Sequence, residues 1–85
     1  MQQGAAGAAY QVDVVIPVYN EEHVLAQSVG ALRDFLRQRL KPHRWRILIA
    51  DNASTDATLE VAKQLAAQYP QEVAWLHLDE KGRGP

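Results

Sequence analysis

The stretch VVIPVYNEE at residues 14–22 decides the fold, because it joins a β-branched apolar run to a turn and a helix start. Such a run is typical of a parallel strand that is covered on both faces. Pro17 donates no ladder hydrogen bond, so we expect the strand to end there. Asn20 is a good N-cap, and Glu21 and Glu22 would place negative charge in the first turn of the following helix.

The rest of the chain repeats this alternation of strand and helix. Apolar residues at helical spacing form one stripe of the first helix, which Pro42 ends: Leu25, Val29, Leu32, Leu36 and Leu40. Further strands are predicted over residues 45–51 and 73–78, with a helix between them that Ser54 or Thr55 caps. The order β-α-β-α-β predicts an α/β fold with three parallel strands joined by right-handed crossovers.

The composition limits the classes of function. Nine Lys+Arg against ten Asp+Glu give a formal charge of −1, with no basic excess for binding nucleic acid. There are no cysteines, which excludes disulfides and thiolate metal sites. No apolar run approaches the roughly 20 residues that span a bilayer, so we expect a cytoplasmic protein, or one held at the cytoplasmic membrane face by other regions. Residues 1–11 are interpreted as a flexible lead-in and residues 12–85 as part of one domain.

Three predicted loops meet at one edge of the sheet, because the carboxyl ends of parallel strands lie together and ligands bind beyond them. Asp51 closes an apolar strand, where a buried carboxylate requires donors. It can accept a hydrogen bond from an N–H of uracil or guanine, or it can cap the following turn through its own backbone. Glu21 or Glu22 can contact a ribose or base. Alternatively, both acids can serve only to stabilise the following helix through its dipole.

A glycine-rich turn, KGRGP at residues 81–85, follows the third strand and contains Lys81, Gly82 and Arg83. It suits a diphosphate, since glycine permits close approach and two cations supply charge, but such a turn is equally an ordinary solvated one. The histidines lack metal-ligand spacing and are assigned no special role, and the tryptophans are assigned to the core: His23, His43 and His77, and Trp45 and Trp75. Neither a GxGxxG turn nor a P-loop is present, which disfavours dinucleotide-binding and P-loop enzymes.

Taken together, these residues resemble a known family. The stretch at 14–22, IADNASTD at 49–56 and KGRG at 81–84 are similar, in this order, to the start of a family 2 glycosyltransferase with the GT-A fold. Within that family the chain looks like the dolichyl- or polyprenyl-phosphate glucosyl- and mannosyltransferases. The resemblance covers about residues 12–85 and implies that the β-α-β-α-β unit is the Rossmann-like half of a GT-A fold, incomplete in this sequence.

The resemblance implies a donor site made of seven residues. They are Pro17, Tyr19 and Glu21 in the base-and-ribose pocket, Asp51 reading the base, and Lys81, Gly82 and Arg83 near the diphosphate, with Arg83 its main contact. The second motif departs from the family's usual Asp-Asp-Gly-Ser, because Asn52 replaces an acid and Ala53 a glycine. We expect the pocket to survive this change, since the first Asp is retained.

The resemblance also implies an activity. The family transfers a hexose from a UDP- or GDP-sugar to a polyprenyl or dolichyl phosphate or another acceptor, by an inverting displacement that Mg²⁺ or Mn²⁺ assists. Its metal-binding Asp-x-Asp does not occur in this sequence, so we expect neither catalytic residues nor metal ligands here, and little activity from these residues alone. The alternative is a non-catalytic nucleotide-binding or interaction module.

Overall fold

The computed structural model describes residues 11–40 and 44–79. These residues form an α/β unit whose elements follow the order β1 (Gln11–Val18), α1 (Leu25–Arg39), β2 (Arg44–Asn52), α2 (Thr58–Gln68) and β3 (Val73–Leu78). The strands are parallel and lie side by side in the order β1-β2-β3. The predicted β-α-β-α-β order and the parallel sheet are confirmed.

Strand boundaries differ slightly from the prediction. Gln11, which the sequence assigned to the lead-in, already belongs to β1, and the rest of the lead-in lies outside the described residues. The strand continues through Pro17 to Val18, one residue beyond the predicted end. Proline is tolerated at this position because β1 is an outer strand of the described sheet, where a missing N–H need not break a ladder.

The core lies between the two helices and one face of the sheet. Its buried apolar residues come from all five elements: Val18, Leu25, Val29, Leu36, Ile47, Ile49, Ala62, Leu65 and Val73. The stripe predicted for α1 is confirmed, because its two remaining members, Leu32 and Leu40, pack against this core. Along β2 every second side chain from Ile47 onward is buried, as in a strand with one covered face.

The opposite face of the sheet is apolar, and the described helices do not cover it. The strand register places Val15, Leu48 and Leu76 on this face, and Val15 is 56% exposed. The sequence predicted cover on both faces, and the described residues do not meet that prediction. The reason is topological, since two right-handed crossovers that progress in one direction across a sheet place both helices on the same side.

The helix caps were also predicted wrongly. The N-cap residues are Val24 for α1 and Ala57 for α2, and neither makes a side-chain capping hydrogen bond. Asn20, Ser54 and Thr55 lie earlier, in the loops that precede the helices. Asn20 has a φ of 52°, a left-handed conformation that turns the chain before the helix starts.

The two tryptophans have different environments. Trp45 packs against the core as predicted. Trp75 is 40% exposed, and the Lys63 ammonium lies 5.0 Å from its ring centroid, so its assignment to the core is wrong. It lies on β3, an outer strand of the described sheet, where one side lacks a neighbouring strand. Within residues 11–40 and 44–79, no helix combines the length and apolar character needed to cross a membrane.

Candidate functional site

The carboxyl edge of the sheet carries two described loops. The first loop (residues 19–24) follows β1, and the second loop (residues 53–57) follows β2. The strand register places Asp51 between Val18 of β1 and His77 of β3, so Asp51 occupies the middle of this edge. The two loops and this carboxylate together form the candidate site.

Asn20 joins the first loop to the second. Its Oδ1 accepts hydrogen bonds from the backbone N–H groups of Thr55 at 2.8 Å and Asp56 at 3.3 Å. Its own N–H donates to the Ser54 hydroxyl at 2.9 Å. Asparagine suits the left-handed φ that this geometry requires better than most residues do. The side chain therefore ties down the loop before α2 and does not cap the helix that follows it in sequence.

Glu22 also serves the second loop. Its Oε1 accepts from the Ala57 N–H at 2.8 Å, and its N–H donates to Asp56 Oδ2 at 3.3 Å. Backbone N–H groups at a helix start lack intrahelical acceptors, and a negative charge there is stabilised by the helix dipole. Glu22 thus lies at the start of α2, and the first turn of α1 contains no acid, contrary to the prediction.

Thr58 and Asp56 complete the connection between the loops. The fully buried Thr58 hydroxyl accepts the Glu21 N–H at 2.7 Å and donates to Asp56 Oδ1. Asp56 Oδ1 also accepts the Thr58 N–H at 2.9 Å. Partial burial raises the pKa of the Asp56 carboxyl, but the hydrogen bonds from Thr58 and from the Glu22 N–H outweigh it, so this pKa lies below the usual 3.8.

Asp51 is a fully buried carboxylate with one oxygen engaged and one free. Its Oδ2 lies 2.7 Å from His77 Nδ1, while Oδ1 has no hydrogen-bond partner among the described residues. A hydrogen bond from the ring to this carboxylate requires a proton on Nδ1, which acts as the donor. The other ring nitrogen, Nε2, lies 3.3 Å from Oδ1 of the exposed Asp79. The pairing with His77 therefore leaves Asp51 Oδ1 as the carboxylate oxygen that can still accept a hydrogen bond.

Of the seven site residues implied by the resemblance, the structure describes four. Tyr19 and Glu21 belong to the first loop, and Tyr19 is 38% exposed. Pro17 lies near the end of β1 and pairs with Ala50, the residue before Asp51. Because successive residues of a strand point to opposite faces, Pro17 and Asp51 lie on opposite faces of the sheet. The remaining three lie outside the described residues: Lys81, Gly82 and Arg83.

Sequence reasoning missed the role of His77 at this edge. The histidine was assigned no special role because it lacks metal-ligand spacing with the others, yet its ring contacts Asp51, 26 positions earlier in the chain. The only sequence signal was its place near the end of the predicted third strand, one strand away from Asp51. Which residue of β3 lies beside Asp51 depends on the strand register, and the strand pattern alone does not specify register.

The described residues do not fit a divalent cation. Within residues 11–40 and 44–79, no three His, Asp or Glu side chains come together as metal ligands. The carboxylates of Asp51 and Asp56 are already engaged, the first by His77 and the second by Thr58. A ligand set of several oxygens, which Mg²⁺ prefers, is therefore not assembled by these side chains.

The chain is similar to known proteins over most of its length. Residues 13–85 match the family described as Glycosyl transferase family 2. The glycosyltransferase EpsE of Bacillus subtilis is 40% identical over 63 residues, which cover 74% of this chain and 21% of that protein. The dodecaprenyl-phosphate galacturonate synthase of Rhizobium johnstonii is 39% identical over 56 residues, 64% of this chain and 15% of the relative.

A third relative comes from a eukaryote. The dolichyl-phosphate beta-glucosyltransferase of Trichomonas vaginalis is 33% identical over 66 residues, which cover 74% of this chain and 20% of that enzyme. The chain therefore spans about a fifth or less of the length of these curated relatives. No solved structure shows a significant match to the chain.

Proposed function

The chain belongs to glycosyl transferase family 2, and from this membership we propose that the carboxyl edge of its sheet binds the nucleotide of a sugar donor, with Asp51 recognising the base. The observation that carries the proposal is the buried Oδ1 of Asp51, which has no hydrogen-bond partner within residues 11–40 and 44–79. A buried acceptor without a donor costs about 1–3 kcal/mol. A bound ligand with an N–H group would supply the missing donor.

The chemistry of the free oxygen limits the bases that fit. Uracil N3 and guanine N1 carry a hydrogen and can donate to Asp51 Oδ1. Cytosine N3 and adenine N1 carry a lone pair in the corresponding position, which a carboxylate repels. Asp51 Oδ1 is closed off from solvent, so a base would reach it through a side-chain movement at this edge. We therefore propose UDP or GDP as the nucleotide of the donor.

The remaining pocket residues are proposed from their place in the family motifs. The exposed Tyr19 and the neighbouring Glu21 would contact base and ribose, and Pro17 would border them from the end of β1. The hydrogen bond from the Glu21 N–H to the hydroxyl of Thr58, the first residue of α2, holds the main chain of the first loop in place. This bond supports a pocket wall formed before the ligand arrives. We propose that the diphosphate is bound by the turn after β3, at Lys81, Gly82 and Arg83.

We propose that a longer polypeptide containing these residues transfers a hexose from the UDP- or GDP-sugar to a lipid phosphate, with inversion at the anomeric carbon. Two of the relatives support this acceptor, since their names specify dodecaprenyl phosphate and dolichyl phosphate. A divalent cation would neutralise the leaving diphosphate when bound. Its ligands would have to lie outside residues 11–40 and 44–79, because the side chains there assemble no such set.

Nucleotide binding is tested by titrating the ¹⁵N-labelled 85-residue chain with UDP, GDP, ADP and CDP. We expect UDP or GDP to shift the amide signals of Tyr19, Asn52 and His77, and we expect ADP and CDP to cause much smaller shifts. Asp51→Asn should weaken the binding about tenfold or more, since a hydrogen bond to a charged group contributes about 1.5–3 kcal/mol. The matched control is Asp34→Asn, which makes the same change on an exposed position of α1.

The outcomes of this titration are distinct. Saturable shifts with UDP or GDP that depend on Asp51 and not on Asp34 support the proposal. Shifts of equal size with all four nucleotides would indicate recognition of phosphate alone and would remove Asp51 from its role as base reader. No shift at the sheet edge with any nucleotide at millimolar concentration would overturn the donor-site proposal.

An activity assay tests whether these 85 residues suffice for sugar transfer. We propose that the 85 residues by themselves form no active transferase. Incubated with UDP-glucose or GDP-mannose, polyprenyl phosphate and Mn²⁺, they should give no lipid-linked sugar above the protein-free rate. Turnover that Asp51→Asn abolishes would contradict this, because it would show that these residues suffice for transfer.

A further inference from the structure

We infer that His77 is a positioning residue for base recognition, an inference that rests on the donor-site function proposed above. The imidazole lies on β3 directly beside Asp51 in the strand register. Its Nδ1–H donates to Asp51 Oδ2 at 2.7 Å. This bond occupies one carboxylate oxygen and leaves Oδ1 as the acceptor for a nucleobase N–H.

The need for His77 follows from the burial of Asp51. The carboxylate is 0% exposed, and transferring a carboxylate out of water is costly unless donors compensate it. Among the described residues, the imidazole is the only donor that reaches this carboxylate. Without it, Asp51 would lose its one compensating hydrogen bond and would be free to turn away from the ligand. The effect of His77 on a nucleotide is therefore indirect and acts through the orientation of Asp51.

The exposure of the imidazole distinguishes this role from core packing. The His77 side chain is 33% exposed and sits at the ligand edge of the sheet, whereas the core residue of the same strand, Val73, is 2% exposed. A residue that only filled space here would be replaced equally well by leucine. A residue that holds a carboxylate requires a donor at the position of Nδ1, which the amide nitrogen of asparagine also supplies.

The test compares two variants of the full 85-residue chain, His77→Asn and His77→Leu. Binding of UDP and GDP is measured by NMR titration, and folding is checked by circular dichroism. For the nucleotide that binds the natural chain, His77→Leu should weaken binding about tenfold, and His77→Asn should restore it to within about threefold, as expected for one charge-assisted hydrogen bond. Gln38→Leu, which introduces leucine at an exposed position in the last turn of α1, is the control and should change affinity little.

A modified ligand shows whether the effect passes through Asp51. N3-methyl-UDP, or N1-methyl-GDP if GDP is the ligand, lacks the N–H that Asp51 Oδ1 would accept. If His77 acts by positioning Asp51, the losses from His77→Leu and from methylation should not add, because both remove the same interaction. Additive losses, or equal affinities for leucine and asparagine variants that both fold, would overturn the inference.

Failure of the inference is distinguishable from failure of the proposed function. If UDP and GDP leave the natural chain unchanged, both fail together. If a nucleotide binds through Asp51 but His77→Leu binds it equally well, only the positioning role fails. If the leucine variant does not fold, the histidine side-chain ¹⁵N spectrum of the natural chain replaces it as the test. The inference then requires that His77 Nδ1 carries a proton. It also requires that the Nδ1 signal shifts when the nucleotide binds and when Asp51 is changed to asparagine.

Discussion

Ala53 adopts a left-handed backbone that alanine tolerates poorly. Its φ is 56°, and it occupies the position at which the family motif has a glycine. The left-handed conformation costs a residue with a Cβ roughly 1–2 kcal/mol, whereas glycine adopts it freely. Ala53 therefore holds this loop conformation at the expense of backbone strain.

Ala53→Gly is expected to stabilise the chain by about 0.5–1 kcal/mol, because relief of the strain exceeds the added flexibility of the unfolded chain. The measurement is the free energy of unfolding from urea titration. Ala57→Gly is the matched control, since Ala57 has a φ of −86° and gains nothing from glycine. If Ala53→Gly lost as much stability as the control, the backbone of Ala53 would not be strained.

Thr58 is a second residue whose contribution to stability can be measured with a single substitution. Its buried hydroxyl is the acceptor for the Glu21 N–H and a donor to Asp56. Thr58→Val keeps the shape but removes the hydroxyl, so we expect a loss of about 1–3 kcal/mol from the unsatisfied groups. The control Thr55→Val removes an exposed hydroxyl and should change the unfolding free energy by less than about 0.5 kcal/mol. Equal effects would show that the buried hydroxyl contributes no more than a surface one.

At the scale of elements, the two loops stabilise each other across the sheet edge. Side chains of the first loop, those of Asn20 and Glu22, accept hydrogen bonds from backbone N–H groups of the second loop. Side chains of the second loop, those of Ser54 and Asp56, accept hydrogen bonds from backbone N–H groups of the first loop. Because each loop satisfies backbone groups of the other, neither keeps its conformation by local sequence alone. Both loops are therefore expected to lose their order together.

This coupling predicts a specific acid sensitivity. The pKa of Asp56 is lowered on folding, so its contribution to stability is present above the usual value of 3.8 and is lost as pH falls through the lower folded value. The urea midpoint of the natural chain should therefore fall below about pH 4 more steeply than that of Asp56→Asn. Asp34→Asn, at an exposed position of α1, should retain the steep fall, and equal slopes in all three proteins would refute the role of Asp56.

At the scale of the whole molecule, the open face of the sheet is an apolar surface that the described helices leave uncovered. It is continuous across the strands, from Val15 through Leu48 to Ala74 in one row of the register. Parallel sheets are ordinarily covered on both faces, and large exposed apolar patches promote association or binding. This face is therefore where the isolated chain should be most prone to associate.

Val15→Lys tests that expectation. We expect it to lower the binding of a hydrophobic dye and the association seen by sedimentation, with a change in unfolding free energy within about 0.5 kcal/mol, because the position is 56% exposed. Ala31→Lys adds the same charge at an exposed position of α1 and should leave dye binding unchanged. A similar decrease in both variants would indicate an effect of net charge and not of the apolar face.

The sequence by itself determined the element order, the parallel sheet, the core stripe of α1 and the place of Asp51 at the strand edge. These follow from patterns within short windows, such as β-branched runs and helical spacing, which act locally along the chain. The family motifs carried the functional assignment in the same way, through residue types at fixed distances.

Only the tertiary structure decided the partners of the polar residues. It paired Asp51 with His77, assigned Asn20 to the neighbouring loop across 34 or more positions, and left one sheet face open. These features depend on the register of the strands and on the side of the sheet along which the crossovers run. A short stretch of sequence encodes neither the register nor that side. The helix-cap predictions failed for a related reason, because the side chains of Asn20 and Ser54 accept hydrogen bonds from backbone N–H groups of the neighbouring loop.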